Sequence, residues 1–402
     1  VSRIVALASI VIGIGACNSN EGAVSEGTQS LRVELVSPSN PGDVNHRMPG
    51  SPAPAVIVNV TALDVDGNVD PTFDRDVYAY AQFLGTLTPD LGSADPLATF
   101  HVTQGKSTDQ EIQLPTVFGP TTIWIDDGKN DEPTYATGTS PTLWFNDPFI
   151  KDIQQPANEM SIDALSNSPL NSKNVQVNAS RYGANGRLVI TSVFAQGYTV
   201  ADVNCKDANG TPPCAAGNYD AVEVFSFSAP LDSDGRFLKE GQSIDSFAGG
   251  VSEFDGLTEI GFPQTFVNAD PPDVNPAREP TPVKVDPSTW FLSLSDPSGG
   301  MIQFERQEAL PIEIDGAKVC NLDSDFDTFK QWKLDPSGVG GDCSNSKTVL
   351  NVITAGVISD LDPSTLVGQT LPKAVGILRP LNIGSFNVWI IYPRSHADLT
   401  LQ

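Results

Sequence analysis

Val56-Ile57-Val58-Asn59-Val60-Thr61-Ala62 sets Val56, Val58, Val60 and Ala62 in alternation with Ile57, Asn59 and Thr61. A period of two is what a strand needs when one of its faces enters a core. The run ends at Asp64-Val65-Asp66-Gly67-Asn68, where a small residue and carboxylates favour a tight turn. Working outward, similar short segments at 77–84, 99–102, 111–117, 122–126 and 141–145 are separated by turn clusters, and no long stretch has helical periodicity. The 34 Gly and 32 Pro among 402 residues suit many turns. An all-β protein is predicted.

Roughly seven short strands in about 115 residues predict an immunoglobulin-like sandwich over 31–148. The segment Ala62-Leu63-Asp64-Val65-Asp66-Gly67-Asn68-Val69-Asp70, with Phe73 or Tyr78 following, resembles the first long hairpin of bacterial Ig-like modules of surface proteins. Asp64, Asp66, Asn68 and Asp70 also present oxygens at alternate positions around Gly67, which makes them candidate ligands for calcium, the one cofactor the sequence suggests. An EF-hand would need Gly at 69 and Glu at 75, where the chain has Val69 and Arg75. Asp-Gly-Asn is equally an ordinary hairpin turn, and Asp323, Asp325 and Asp327 read the same way.

Residues 149–173 are expected to be a linker. Strand patterns return at 174–179, 187–194, 197–202, 221–227, 243–254 and 257–262, predicting a small Greek-key barrel over 174–267. A proline-rich acidic linker, 268–287, leads to a further β unit over 288–402, with segments at 290–294, 310–314, 317–320, 329–334, 349–358, 374–378 and 385–392. Gly250-Val251, a turn at Asp255-Gly256 and a strand closing on Phe262-Pro263 are echoed by Gly376-Ile377, a turn near Asn382-Ile383-Gly384 and a strand closing on Tyr392-Pro393. The echo favours two similar barrels. Phe329-Lys330-Gln331-Trp332-Lys333-Leu334, Gly376-Ile377-Leu378, Phe386 and Tyr392-Pro393-Arg394 with Asp398 resemble OB-fold-type modules that accompany the catalytic domain of large secreted bacterial nucleases. Gly197 to Asp202 and Gly249 to Pro263 supply the match in the earlier unit. The resemblance implies non-catalytic OB-like barrels, whose exposed faces bind oligosaccharides or oligonucleotides by stacking. Tyr198, Phe225, Phe227, Trp332 and Trp389 fall on the barrel strands and are the candidate ligand face.

At the front of the chain, Arg3 precedes the apolar run Ile4 to Ile14, which is shorter than the roughly 20 residues that span a bilayer. Ile14-Gly15-Ala16-Cys17 resembles the lipobox of bacterial lipoproteins. That resemblance implies a signal peptide and lipobox over 1–17, removal of the residues before Cys17, lipid attachment at Cys17, and membrane association. Position 18 is Asn rather than Asp, so outer-membrane delivery is expected, and 18–30 is polar enough to act as a flexible tether.

Export sets the redox state of the remaining cysteines. Cys205, Cys214, Cys320 and Cys343 are even in number, so two disulfides are expected; three pairings are open, of which the local one, Cys205 with Cys214 and Cys320 with Cys343, keeps each bridge inside one loop. Only His46, His101 and His396 could assist a zinc site, and none has ligand spacing with a cysteine.

The formal charge of −26, from 49 acidic and 23 basic residues, opposes a phosphate backbone, so nucleic acid is an unfavoured partner and a glycan or surface protein a favoured one. No Gly-x-Ser-x-Gly, Gly-x-Gly-x-x-Gly or phosphate loop occurs. His396, Asp398 and Arg394 are the only nuclease-like grouping, eight or fewer residues from the last one. The sequence therefore predicts no catalytic residues and a non-catalytic, lipid-anchored envelope protein that binds or scaffolds at the cell surface. An accessory component of an extracellular nuclease system and a purely structural spacer are the alternatives.

Overall fold

Val58 and Ala62 are fully buried while Ile57 and Asn59 are only partly covered, the one-sided burial their alternation requires. The computed structural model describes residues 27–83, 95–128, 136–159, 168–292, 302–343, 348–383 and 386–401. The expected signal segment, Cys17 and most of the expected tether lie outside the described residues. The protein is all-β, with 45% strand and 11% helix. Among the described residues no helix is long and apolar enough to cross a membrane.

The first unit contains β1 (Ser30–Ser37), β2 (Ala55–Leu63), β3 (Arg75–Phe83), β4 (Ala98–Val102), β5 (Lys106–Gln113), β6 (Pro120–Asp126), β7 (Thr137–Thr139) and β8 (Leu143–Trp144). Its two sheets run β1-β2-β5 and β4-β3-β6-β7, with β8 beside β6. Val33, Val56, Val58 and Ile112 from one sheet share a core with Val77, Val102, Ile123 and Ile125 from the other. Edge strands β1 and β7 come so close that a Cβ on Gly138 would sit 1.8 Å from the Leu31 carbonyl oxygen. Only glycine fits there.

The second unit contains β9 (Asn174–Asn178), β10 (Gly186–Phe194), β11 (Gly197–Asn204), β12 (Ala221–Phe225), β13 (Ser243–Ile244), β14 (Ser246–Phe254) and β15 (Leu257–Phe266), in the order β13-β10-β11-β12-β15-β14-β9. Only Asp245 separates β13 from β14, and these pair with β10 and β9 respectively, so the sheet turns back on its own first strand. The β12–β15 pair is parallel, and the other pairs are antiparallel. The expected linker before this barrel contributes to it: Ile150 and Ile153, on the helix Ile150–Gln154, and Leu170 pack with Val177, Val200 and Phe247 in its core. Their apolar spacing was too short to read as a helix.

The third unit contains β16 (Val283–Lys284), β17 (Pro311–Val319), β18 (Gln331–Asp335), β19 (Leu350–Ile353), β20 (Thr370–Ile383), β21 (Phe386–Tyr392) and β22 (Leu399–Thr400). Because β17 pairs with both β18 and β20, the five strands β17-β18-β19-β21-β20 close into a barrel. Here too the third and fifth strands, β19 and β21, run parallel. Both sheets thus follow the order first, second, third, fifth, fourth. The echo in the sequence falls on equivalent hairpins, β14–β15 and β20–β21, which join the fourth strand to the fifth.

One segment expected to begin a strand and one expected turn are short helices. Asp286 accepts from the Ser288 amide at 2.9 Å and caps the helix Pro287–Trp290, which ends the expected 290–294 strand. Asp323 likewise caps Ser324–Phe329, and Lys330, at φ 59°, stops that helix before β18 begins. Sequence alternation could not show the first cap, and the turn reading of Asp323, Asp325 and Asp327 did not show the second. The two local disulfides are formed: Cys205–Cys214 and Cys320–Cys343.

The two barrels pack against each other. Val189, Ala201, Val203 and Ala221 on the outside of the earlier barrel bury themselves with Ala309 and Leu310, which lead into β17.

Candidate functional site

The polar loop between β1 and β2 is drawn onto the chain after β8 by backbone bonds: Trp144 N–H donates to the Pro41 carbonyl, Met48 N–H to that of Trp144 and Asn146 N–H to that of Met48, each at 2.8 Å. Within the loop, Asp43 accepts from the Asn45 and His46 amides at 2.7 and 2.8 Å. The His46 ring beside it is the main reason its carboxyl is held below the usual carboxylate range. On the opposite side, β9 alternates Val175 and Val177, turned into the barrel core, with Gln176 and Asn178. Period two therefore puts both amides on the outer face. The following 3-10 turn, Ala179–Tyr182, is started by Asn178, whose side chain accepts from the Ser180 amide.

These segments enclose a cleft of ≈ 790 Å³ between the sandwich and the first barrel, inside the range of about 300–1,000 Å³ typical of ligand pockets. Asn40, Asn45, Asn146, Gln176 and Asn178 line it with carboxamides. Each carboxamide both donates and accepts hydrogen bonds. Two guanidinium groups, Arg47 and Arg181, face one carboxylate, Asp147. Arg47 pairs with Asp147 at 2.9 Å and lies over the Trp144 ring. Burial raises the Asp147 carboxyl, against the pull of Arg47 and Arg181. Arg181 sits 4.1 Å above the Phe149 ring, and its buried Nη1 has no hydrogen-bond partner among the described residues. In a chain of charge −26, this cleft holds more positive than negative groups and many neutral amides.

The residues expected to form a ligand face separate. Tyr198 is buried in the first barrel, where its hydroxyl shares a 2.6 Å hydrogen bond with the Thr265 hydroxyl. Trp332 is buried in the second, its indole donating to the Thr354 hydroxyl at 3.3 Å. Trp389 stacks on Phe304 in the same core. These three cannot stack on a ligand, because their large apolar rings fill the barrels. Phe225 is partly covered and Phe227 is exposed; the latter forms a surface cluster with Phe225 at 4.5 Å and Phe262 at 4.8 Å. Sequence reasoning missed Phe262, which is 83% exposed. Phe227 and Phe262 both hold positive φ, 59° and 51°, a conformation disfavoured for bulky residues.

The candidate calcium residues are engaged with the protein. Asp64 accepts from the Asp66 and Asn68 amides at 2.9 and 2.8 Å, closing the hairpin turn. Asp70 is buried and accepts from the Thr28 and Thr72 hydroxyls, each at 2.6 Å. Among the described residues no three His, Cys, Asp or Glu side chains are grouped so as to hold a metal ion. The nuclease-like grouping is also divided: His396 contacts Asp360 at 2.7 Å, whereas Asp398 receives Arg394.

The cleft amides were illegible in the sequence because an outward Gln or Asn on an alternating strand looks like any solvated face. Only the pairing of β9 with β14 and the return of the 38–50 loop bring them together. No protein-family model matches the chain, and comparison with curated proteins gives no match.

Proposed function

We propose that the protein is a non-catalytic, lipid-anchored component of the bacterial outer membrane that binds a glycan in the cleft between its sandwich and its first barrel. The amide-lined wall of that cleft carries the reading. A sugar offers alternating hydroxyl donors and acceptors, which carboxamides match without a net charge, and the cleft is large enough for more than one ring. The chain's charge of −26 disfavours a polyanionic nucleic acid as ligand.

The module reading is Ig-like followed by two OB-like barrels. The packing of a three-stranded sheet on a five-stranded one supports the first name, and five-strand order with a parallel third–fifth pair supports the second. Attachment at Cys17 would hold the cleft near the membrane surface.

The test is a glycan array probed with the full chain and with a Gln176→Ala, Asn178→Ala double variant. Binding of a neutral glycan that falls at least tenfold in the variant, with an unchanged melting temperature, is expected. Equal binding by both proteins, or retention only on single-stranded DNA, overturns the reading.

A further inference from the structure

Between the two barrels lies a second cavity, of ≈ 250 Å³, below the size of a drug-like pocket. Its chemistry differs from that of the amide cleft. Val222 and Val224 point into the core of the first barrel, so Glu223 between them points out of it, into the face covered by the second barrel. From that barrel Leu378 enters the core and its neighbour Arg379 faces back toward Glu223. Arg379 Nη2 lies 2.8 Å from Glu223 Oε1, but the approach is not aligned as a hydrogen bond. Apart from that ion pair, neither carboxylate oxygen, both fully buried, has a hydrogen-bond donor among the described residues. Leaving a buried carboxylate undonated is costly, and such a group calls for a partner. Arg379 is held by ring contacts, 5.6 Å from the Phe194 centroid and 5.0 Å from that of Tyr392, which leave its N–H edge free to turn.

We infer that this cavity is a binding site for a free α-amino acid, whose ammonium group would donate to Glu223 and whose carboxylate would accept from Arg379. A simple cation would satisfy Glu223 but stand against Arg379, and a simple anion the reverse. A zwitterion presents both signs a few ångströms apart and adds no net charge to a buried site. Glu259, directly opposite Glu223 on the parallel strand, adds a further reason for the ammonium to lie on that side. Val193, Val357 and Ile377 leave an apolar wall for a side chain. Val357, at the turn after β19, is exposed and stands at the mouth.

The test is calorimetric titration and thermal unfolding of the full chain with each of the twenty L-amino acids, with methyl esters and N-acetyl derivatives of those that bind, and with glucose. At least one free amino acid is expected to bind and raise the melting temperature, and both blocked forms to lose at least tenfold in affinity. Glu223→Gln should lose the response without a lower melting temperature in the absence of ligand. Val357→Trp, which obstructs the mouth without touching the charged pair, should lose it as well. The inference is overturned if no amino acid binds at millimolar concentration, if glucose or an amine without a carboxylate binds as well, or if both variants respond like the parent. Glycan binding at the other cleft is read separately, through Gln176 and Asn178.

Discussion

Arg394 Nη1 donates to the Thr191 carbonyl oxygen at 2.8 Å, so a residue just past the last barrel strand of one barrel is tied to the first long strand of the other. The same guanidinium meets Asp398 at 3.0 Å and also contacts Glu279. All three charged side chains are largely buried. Removing the cation strands two carboxylates in a poorly solvated seam. Arg394→Ala is expected to lower stability by roughly 3–5 kcal/mol, the usual cost of breaking a buried pair from one side. Chemical denaturation of the two proteins measures it, and Arg394→Lys should recover part of the loss.

The carboxyls buried beside the first barrel set the pH response. Burial pushes Glu223 up to about 7 despite Arg379, and pushes Asp202 up to about 8 with help from Asp220. Glu305 is likewise raised to about 8, by burial and then by Glu253, and Glu308 is raised in the same way. In the unfolded chain such groups titrate near 4. Between about pH 4 and 8 the folded state therefore holds more protons, and stability present at the acid end is lost as pH rises. Glu223 alone accounts for about 3 kcal/mol of this swing. Melting temperature should fall steadily from pH 5 to pH 8, and Glu223→Gln should flatten part of the slope.

Gly138 tests the sandwich. Since its Cβ position lies 1.8 Å from the Leu31 carbonyl oxygen, Gly138→Ala must push β7 away from β1. A loss of about 1–3 kcal/mol is expected. Gly27→Ala, with no atom within 4 Å, is the control and should change little.

Each disulfide closes a loop inside one barrel, over separations of 9 and 23 residues. Replacing either pair by serine should cost about 3 kcal/mol in the chain-entropy view. Unfolding of the two double variants, with and without reductant, checks this; reductant should have no further effect on a variant at the bridge already removed.

Strand class and disulfide pairing were the legible parts of the sequence. Alternation at Val56 to Ala62 is a local signal, and burial follows it from Val56 to Val60, whereas Thr61 on the other face is covered as well. The echo between Gly250-Val251 and Gly376-Ile377 was legible because a hairpin of the fourth and fifth strands recurs in both barrels. Tyr198, Trp332 and Trp389 misled because an aromatic on a strand carries no mark of which face it occupies until the register is known. Asp323, read as a turn residue, and Asp286, at the end of the expected linker, each cap a short helix too brief to leave a periodic signal. Neither cavity was legible, since each is made by residues distant in sequence. Gln176 meets Asn40, and Glu223 meets Arg379, only after whole units have docked.

Glu223 lies on the third strand of the earlier barrel and Arg379 on the fourth strand of the later one. A chain that folds as it emerges, amino end first, completes the first barrel while its partner is still unmade. During that interval Glu223 faces water and is ionised. Docking of the second barrel then favours proton uptake at this carboxyl, because burial moves it to about 7 against the pull of Arg379. The docked state should accordingly be favoured over the undocked one as the medium becomes more acidic, which makes the final assembly of this protein sensitive to the compartment in which it occurs.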